Sequence, residues 1–132
     1  MHYHNHIGVA FRFYKKEKLG LNYEKHLYIT EFLKIYTENE KYVIVSDDNC
    51  FVEDLKHLKN VSFIVPDYFI NNTVSDSESV FKQRKNRSEN TLLTLQSAYA
   101  LSTCKYVYRT AGGFSYLARL FNKDLEIKNL ID

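Results

Sequence analysis

The run Thr110-Ala111-Gly112-Gly113-Phe114-Ser115 holds two of the four glycines in this chain. Glycine lets backbone N–H groups come close to a ligand, and the start of a helix attracts anions. Thr110 and Ser115 add hydroxyls. The run reads either as a phosphate-cradling turn or as a plain strand-to-helix turn, and a Gly-Gly pair alone does not choose between them. It is neither a Walker A loop nor a GxGxxG fingerprint. A branched side chain at Gly113 is expected to crowd the turn. Arg12 follows an apolar run and carries a guanidinium that can clamp a pyrophosphate at two points. Taken alone, an arginine paired with Asp47 or Asp48 is the simpler reading. Ser46-Asp47-Asp48 closes a second apolar run, and one of its acids can accept hydrogen bonds from a ribose or a base. Asp48 suits a cap on the next helix, which leaves Asp47 as the functional candidate. Lys82-Gln83-Arg84-Lys85-Asn86-Arg87 places four positive charges in six residues. Arg84 and Arg87 can fold over a phosphate; a solvated basic loop is the plainer alternative.

These residues gain meaning from the elements that must carry them. Four short, continuously apolar runs read as strands covered on both faces: 7–11, 42–45, 61–65 (closed by Pro66) and 106–108. Helical spacing lies between them. Tyr28, Phe32, Ile35 and Tyr36 follow a possible Asn22 cap, and Phe51, Leu55 and Leu58 follow Asp48 or Asn49. Leu92, Leu95, Tyr99 and Ser102 follow Ser88, and Phe114, Leu117, Ala118 and Phe121 mark a fourth helix. The order β-α-β-α-β, long loop, α-β-α predicts an α/β fold: a three-layer Rossmann-like domain with a parallel sheet. Right-handed crossovers give strand order 3-2-1-4. Ligands of such sheets bind at the carboxyl ends of strands where the order reverses, here between the first and fourth strands. Arg12, Asp47 and the turn 110–115 are therefore expected to line one cleft.

With 132 residues, 45% hydrophobic and 26% charged, the chain reads as one domain spanning 1–132 and not as a disordered one. No apolar run approaches the ~20 residues that span a bilayer. The N-terminal run MHYHNHIG lacks a signal-peptide core, so a cytoplasmic protein without an integral membrane segment is expected. A formal charge of +2 does not point to nucleic acid. The many tyrosines are better explained as helix and strand faces than as a single-strand platform. Cys50 and Cys104 have no CxxC spacing and read as buried or half-buried thiols, not nucleophiles. His2, His4 and His6 would share one face of a strand but have no acid or cysteine to complete a metal site, so no metal is assigned.

The runs Lys41-Tyr-Val-Ile-Val-Ser-Asp-Asp48 and Leu101-Ser-Thr-Cys-Lys-Tyr-Val-Tyr-Arg-Thr-Ala-Gly-Gly-Phe-Ser-Tyr-Leu-Ala118 resemble the donor-binding, C-terminal half of fucosyltransferase-like GT-B glycosyltransferases. Val9-Ala10-Phe11-Arg12-Phe13-Tyr14 lies where that family has His-x-Arg-Arg-x-Asp, and of that motif only Arg12 survives. Ala10 stands for the His, Phe13 for the second Arg, and Lys15 or Lys16 stands near the Asp. The turn reads Ala-Gly-Gly-Phe-Ser where many fucosyltransferases have Ser-Ser-Phe-Ser. The resemblance runs from Ile7 to about Phe121. It implies a nucleotide-sugar donor, with a GDP-sugar such as GDP-fucose as first guess, and inverting transfer that needs no metal. Arg12 would be the catalytic residue, stabilising the leaving diphosphate. Asp47, Thr110, Gly112, Gly113, Phe114, Ser115, Arg84 and Arg87 would bind the donor. The acceptor pocket and general base belong to the family's other half. The domain is thus expected to be incomplete on its own, the counterpart of a separate acceptor-binding half or of another copy. The alternative is a non-catalytic α/β module that binds a nucleotide or a partner.

Overall fold

Five short strands form one all-parallel sheet in the order β3-β2-β1-β4-β5. They are β1 (His6–Phe11), β2 (Lys41–Ser46), β3 (Val61–Ile64), β4 (Tyr106–Arg109) and β5 (Ile127–Asn129). The computed structural model describes residues 2–13, 18–65 and 87–131. The α/β class, the parallel pairing and the order 3-2-1-4 expected from the sequence are all found, with β5 added outside β4. Ile127-Lys128-Asn129 is three residues long and carries one apolar side chain, too little signal for a strand to be read from pattern.

The two faces of β1 differ in size. Val9 and Phe11 point into an aromatic layer under α1 (Lys18–Ile35) and α2 (Val52–Leu55), while Ala10 belongs to the opposite face. In the aromatic layer, Phe11 meets Phe51 edge-on at 4.9 Å and Phe32 meets Tyr42 at 5.4 Å. Much of the tyrosine and phenylalanine content is spent there. The Tyr42 hydroxyl also closes the end of α1, accepting from the Thr37 N–H and donating to the Ile35 carbonyl. The opposite face is built from Ala10, Val43, Val45, Leu101, Cys104, Val107 and Ala118, under α3 (Arg87–Ser102) and a 3-10 helix (Phe114–Leu120).

Several element-level expectations need correction. The helix begun at an Asn22 cap starts earlier, at Lys18, so Asn22 is interior. The second helix is a single turn of four residues, and neither Asp48 nor Asn49 caps it: its N-cap is Phe51 with no side-chain bond. Asp48 instead accepts from the Cys50 N–H at 2.8 Å, a local turn that competes with helix. The third helix starts at Arg87, so Ser88 lies inside it. Its buried residues are Ala98, Ala100, Leu101 and Ser102, whereas Leu92, Leu95 and Tyr99 are exposed. The fourth is a seven-residue 3-10 helix that buries Ser115 and Ala118 and leaves Phe121 beyond its end. Of the three alternating histidines only His6 is in a strand, and the His2 and His4 rings stack on each other before it. No helix among the described residues is long and apolar enough to cross a membrane.

Candidate functional site

Parallel strands present their carboxyl ends on one edge of the sheet, and the chain leaving β1 there is held from both sides. The Arg12 N–H donates to Thr110 Oγ1 at 3.0 Å, and Thr110 Oγ1 donates to the Ala10 carbonyl at 3.0 Å. The Phe13 N–H donates to Asp47 Oδ1 at 3.1 Å. Thr110 thus ties β1 to β4, and Asp47 ties β1 to β2. Both residues sit at the predicted edge, and both use side-chain oxygens to fix the backbone around Arg12.

The Arg12 side chain then reaches over the turn after β4. Its guanidinium lies 5.3 Å from the centre of the Phe114 ring, a cation–π contact, with Nη1 3.7 Å from Asp47 Oδ2. The ion-pair distance is longer than a hydrogen bond, so among the described residues no carboxylate holds the guanidinium in a close hydrogen-bonded pair. Arg12, Asp47 and the turn are therefore neighbours, as the switch point between β1 and β4 requires.

The two glycines do different work. Gly112 has φ +71°, the left-handed region that favours glycine. Gly113 has φ −100°, is exposed, and a Cβ built there meets nothing within 4 Å. The expectation that a branched residue at Gly113 crowds the turn is therefore corrected: the backbone constraint lies at Gly112, and Gly113 faces open space. Ser115 is 1% exposed and its Oγ has no hydrogen-bond partner among the described residues, so its hydroxyl lies beneath the surface of the turn. Arg84 lies outside the described residues, as do Lys15 and Lys16. Of Arg87, its place at the start of α3 is described.

Four further residues shape this edge without having been singled out from the sequence. The Tyr28 hydroxyl, from α1, donates to the Arg12 carbonyl at 2.7 Å and lies 3.0 Å from Oε2 of the buried Glu24. Burial pushes the Tyr28 phenol well above its ordinary value, and the Glu24 carboxylate adds to the shift, so the hydroxyl keeps its proton. Glu24 sits one turn before Tyr28 on the same helix face, a spacing that places the two together. Arg109, the last residue of β4, donates from Nη2 to the Gly112 carbonyl at 2.7 Å and from Nη1 to Asn129 Oδ1 at 2.8 Å. Its position at a strand's carboxyl end is the same signal that drew attention to Arg12.

Both cysteines are free thiols. Cys104 is buried beside Gly8, and burial pushes its thiol up to about 12, leaving it protonated and unreactive near neutrality. Cys50 is half-buried in the turn before α2 and its N–H is held by Asp48.

No protein family, curated protein or solved structure matches this chain.

Proposed function

We propose that the domain binds the diphosphate of a nucleotide sugar at the edge formed by Arg12 and the turn after β4. It would act as the donor-binding unit of a fucosyltransferase-like GT-B glycosyltransferase. The observation that carries this reading is the Arg12 guanidinium over Phe114, beside a turn whose Gly113 is open to solvent. A mobile leaving diphosphate needs fixed positive charge and N–H donors where its charge grows, and these are the groups gathered there. The guanidinium supplies that charge itself, so this mechanism calls for no metal ion.

In the transfer step an acceptor hydroxyl attacks the anomeric carbon and the bond from that carbon to the diphosphate oxygen breaks. The diphosphate oxygen keeps the electron pair of that bond, Arg12 stabilises the charge that develops on it, and a base takes the acceptor proton. The carboxylates at this edge are poor candidates for that base. Asp47 holds the Phe13 N–H, Asp48 holds the Cys50 N–H, and Glu24 is buried against Tyr28. An acceptor-binding half, on another chain or another copy, would supply the base and the acceptor pocket.

Calorimetric titration of the purified chain with GDP, UDP and ADP tests the reading, with GDP expected to bind best. Arg12→Ala removes a charge-assisted contact typically worth ~1.5–3 kcal/mol, so affinity should fall roughly 10- to 150-fold. No sugar transfer is expected from this chain alone. Absence of heat with all three nucleotides would instead favour a non-catalytic module, in which the approach of Arg12 to Asp47 simply closes the sheet edge.

A further inference from the structure

Arg109 is half-buried, and part of its guanidinium is covered at a cost. Its Nε is buried without a hydrogen-bond partner among the described residues, while its two other nitrogens hold the Gly112 carbonyl and Asn129 Oδ1. Its guanidinium also lies 5.3 Å from the ring centre of Tyr116 in the 3-10 helix. An orphaned buried N–H weakens a fold, so tying the two strands together is a poor account of an arginine here. In-register pairing of Arg109 with Asn129, and the Leu130 N–H bond to the Arg109 carbonyl at 2.8 Å, already join β4 to β5.

The contact to Gly112 has a directional consequence. No peptide bond among the described residues is cis, and in a trans peptide the C=O of one residue and the N–H of the next point in opposite directions. Holding the Gly112 carbonyl onto Arg109 therefore turns the Gly113 N–H away from Arg109. That N–H has no hydrogen bond to another described residue, and the space at Gly113 is open. The same guanidinium is braced by Asn129 on β5 and by Tyr116, and the Arg119 guanidinium also lies 5.3 Å from the Tyr116 ring centre.

We infer that Arg109 is a positioning residue for anion binding: it fixes the Gly112–Gly113 peptide so that the Gly113 N–H is presented, without strain at the moment of binding, to the anion held by Arg12. This rests on the diphosphate-binding reading of the edge. β5 then has a task in the site, because Asn129 holds the fork of Arg109 in place. Lysine cannot replace arginine here, since an ammonium keeps the charge but cannot span the Gly112 carbonyl and Asn129 together.

Two measurements on the full chain test this, using inorganic pyrophosphate as probe and the Gly113 amide signal in a proton–nitrogen correlation spectrum. Arg109→Lys should weaken pyrophosphate binding about 10-fold or more, and should shift the Gly113 amide in the ligand-free protein. Asn129→Ala leaves the Gly112 contact in place and should give a smaller change of the same kind, which preserves the test if Arg109→Lys does not fold. Equal affinity in Arg109→Lys and wild type overturns the inference and leaves the site reading standing. So does a loss of affinity with an unmoved Gly113 amide, which would mark a direct contact of the Arg109 guanidinium with the anion. Absence of pyrophosphate binding by the wild type overturns the site reading, and the inference with it.

Discussion

At the scale of single residues, one imidazole governs how the sheet meets acid. His6 opens β1, and its Nδ1 is buried with no hydrogen-bond partner among the described residues. Burial lowers its pKa below the ordinary 6.5, and the nearby Lys41 and Lys105 lower it further. The folded state therefore holds a neutral ring and resists the proton that the unfolded chain accepts. This contribution to stability is complete above the unfolded value of 6.5 and is lost as pH falls through the lower folded value. The urea midpoint should drop between pH 7 and pH 5, and His6→Gln should drop less over the same interval. An identical drop in both proteins would remove His6 from the account. The same scale shows what a sequence conveys about a site. Arg12 and Asp47 were legible because each follows an apolar strand, so each must emerge at the carboxyl edge. The unequal roles of Gly112 and Gly113 were not, because φ is invisible in composition. Nor was the bonding of Thr110 Oγ1 to the backbone of Arg12, since that depends on a partner 98 residues away.

At the scale of elements, strands were easier to read than helices. Each of the four expected strands lies within about one residue of its observed bounds, because each is a short continuous apolar run; β1 and β2 are buried along most of their length, whereas β3 and β4 are mostly half-buried. For α3 the spacing of large apolar residues marked the wrong face. Leu92, Leu95 and Tyr99 have helical spacing, yet Ala98 and Leu101 are the residues against the sheet. The cause lies in β1, whose residues toward α3 are Gly8 and Ala10, so the helix comes close enough that only small side chains and one leucine fit. A Cβ at Gly8 would stand 2.9 Å from Leu101 Cδ2, 3.0 Å from Cys104 Sγ and 3.1 Å from Val107 Cγ2. All three neighbours are buried, so they have little room to yield. Gly8→Ala should therefore destabilise the protein by about 1–3 kcal/mol through overpacking, even though alanine suits a strand interior better than glycine. Chemical denaturation decides this: an unchanged or higher midpoint would mean that α3 moves aside freely.

At the scale of the whole molecule, the candidate site and the fold are the same object. Arg12 follows β1, Asp47 follows β2 and Phe114 follows β4, so the groups that meet at the edge are brought together only when the sheet is assembled. The bonds that hold Arg12 reach across 98 residues to Thr110, and the Phe13 contact spans 34 residues to Asp47. No short peptide from this chain can reproduce that arrangement. A diphosphate that binds there must therefore bind the folded state and not the unfolded one, and its binding energy becomes folding energy. At a free ligand concentration 100 times Kd, the gain is about 2.7 kcal/mol, or a rise in Tm on the order of 10 °C for a chain of this size. The gain should reach the centre of the sheet. Amides of Val9, Ile44 and Val107, all fully buried on three adjacent strands, should exchange about 100-fold more slowly with GDP present if they exchange through global unfolding. Arg12→Ala should blunt both effects at the same GDP concentration, because the fraction bound falls with affinity. Protection limited to residues 110–115, with no change at Val9 or Ile44, would show that the turn binds by itself. The edge joined across β1, β2 and β4 would then not be the binding site.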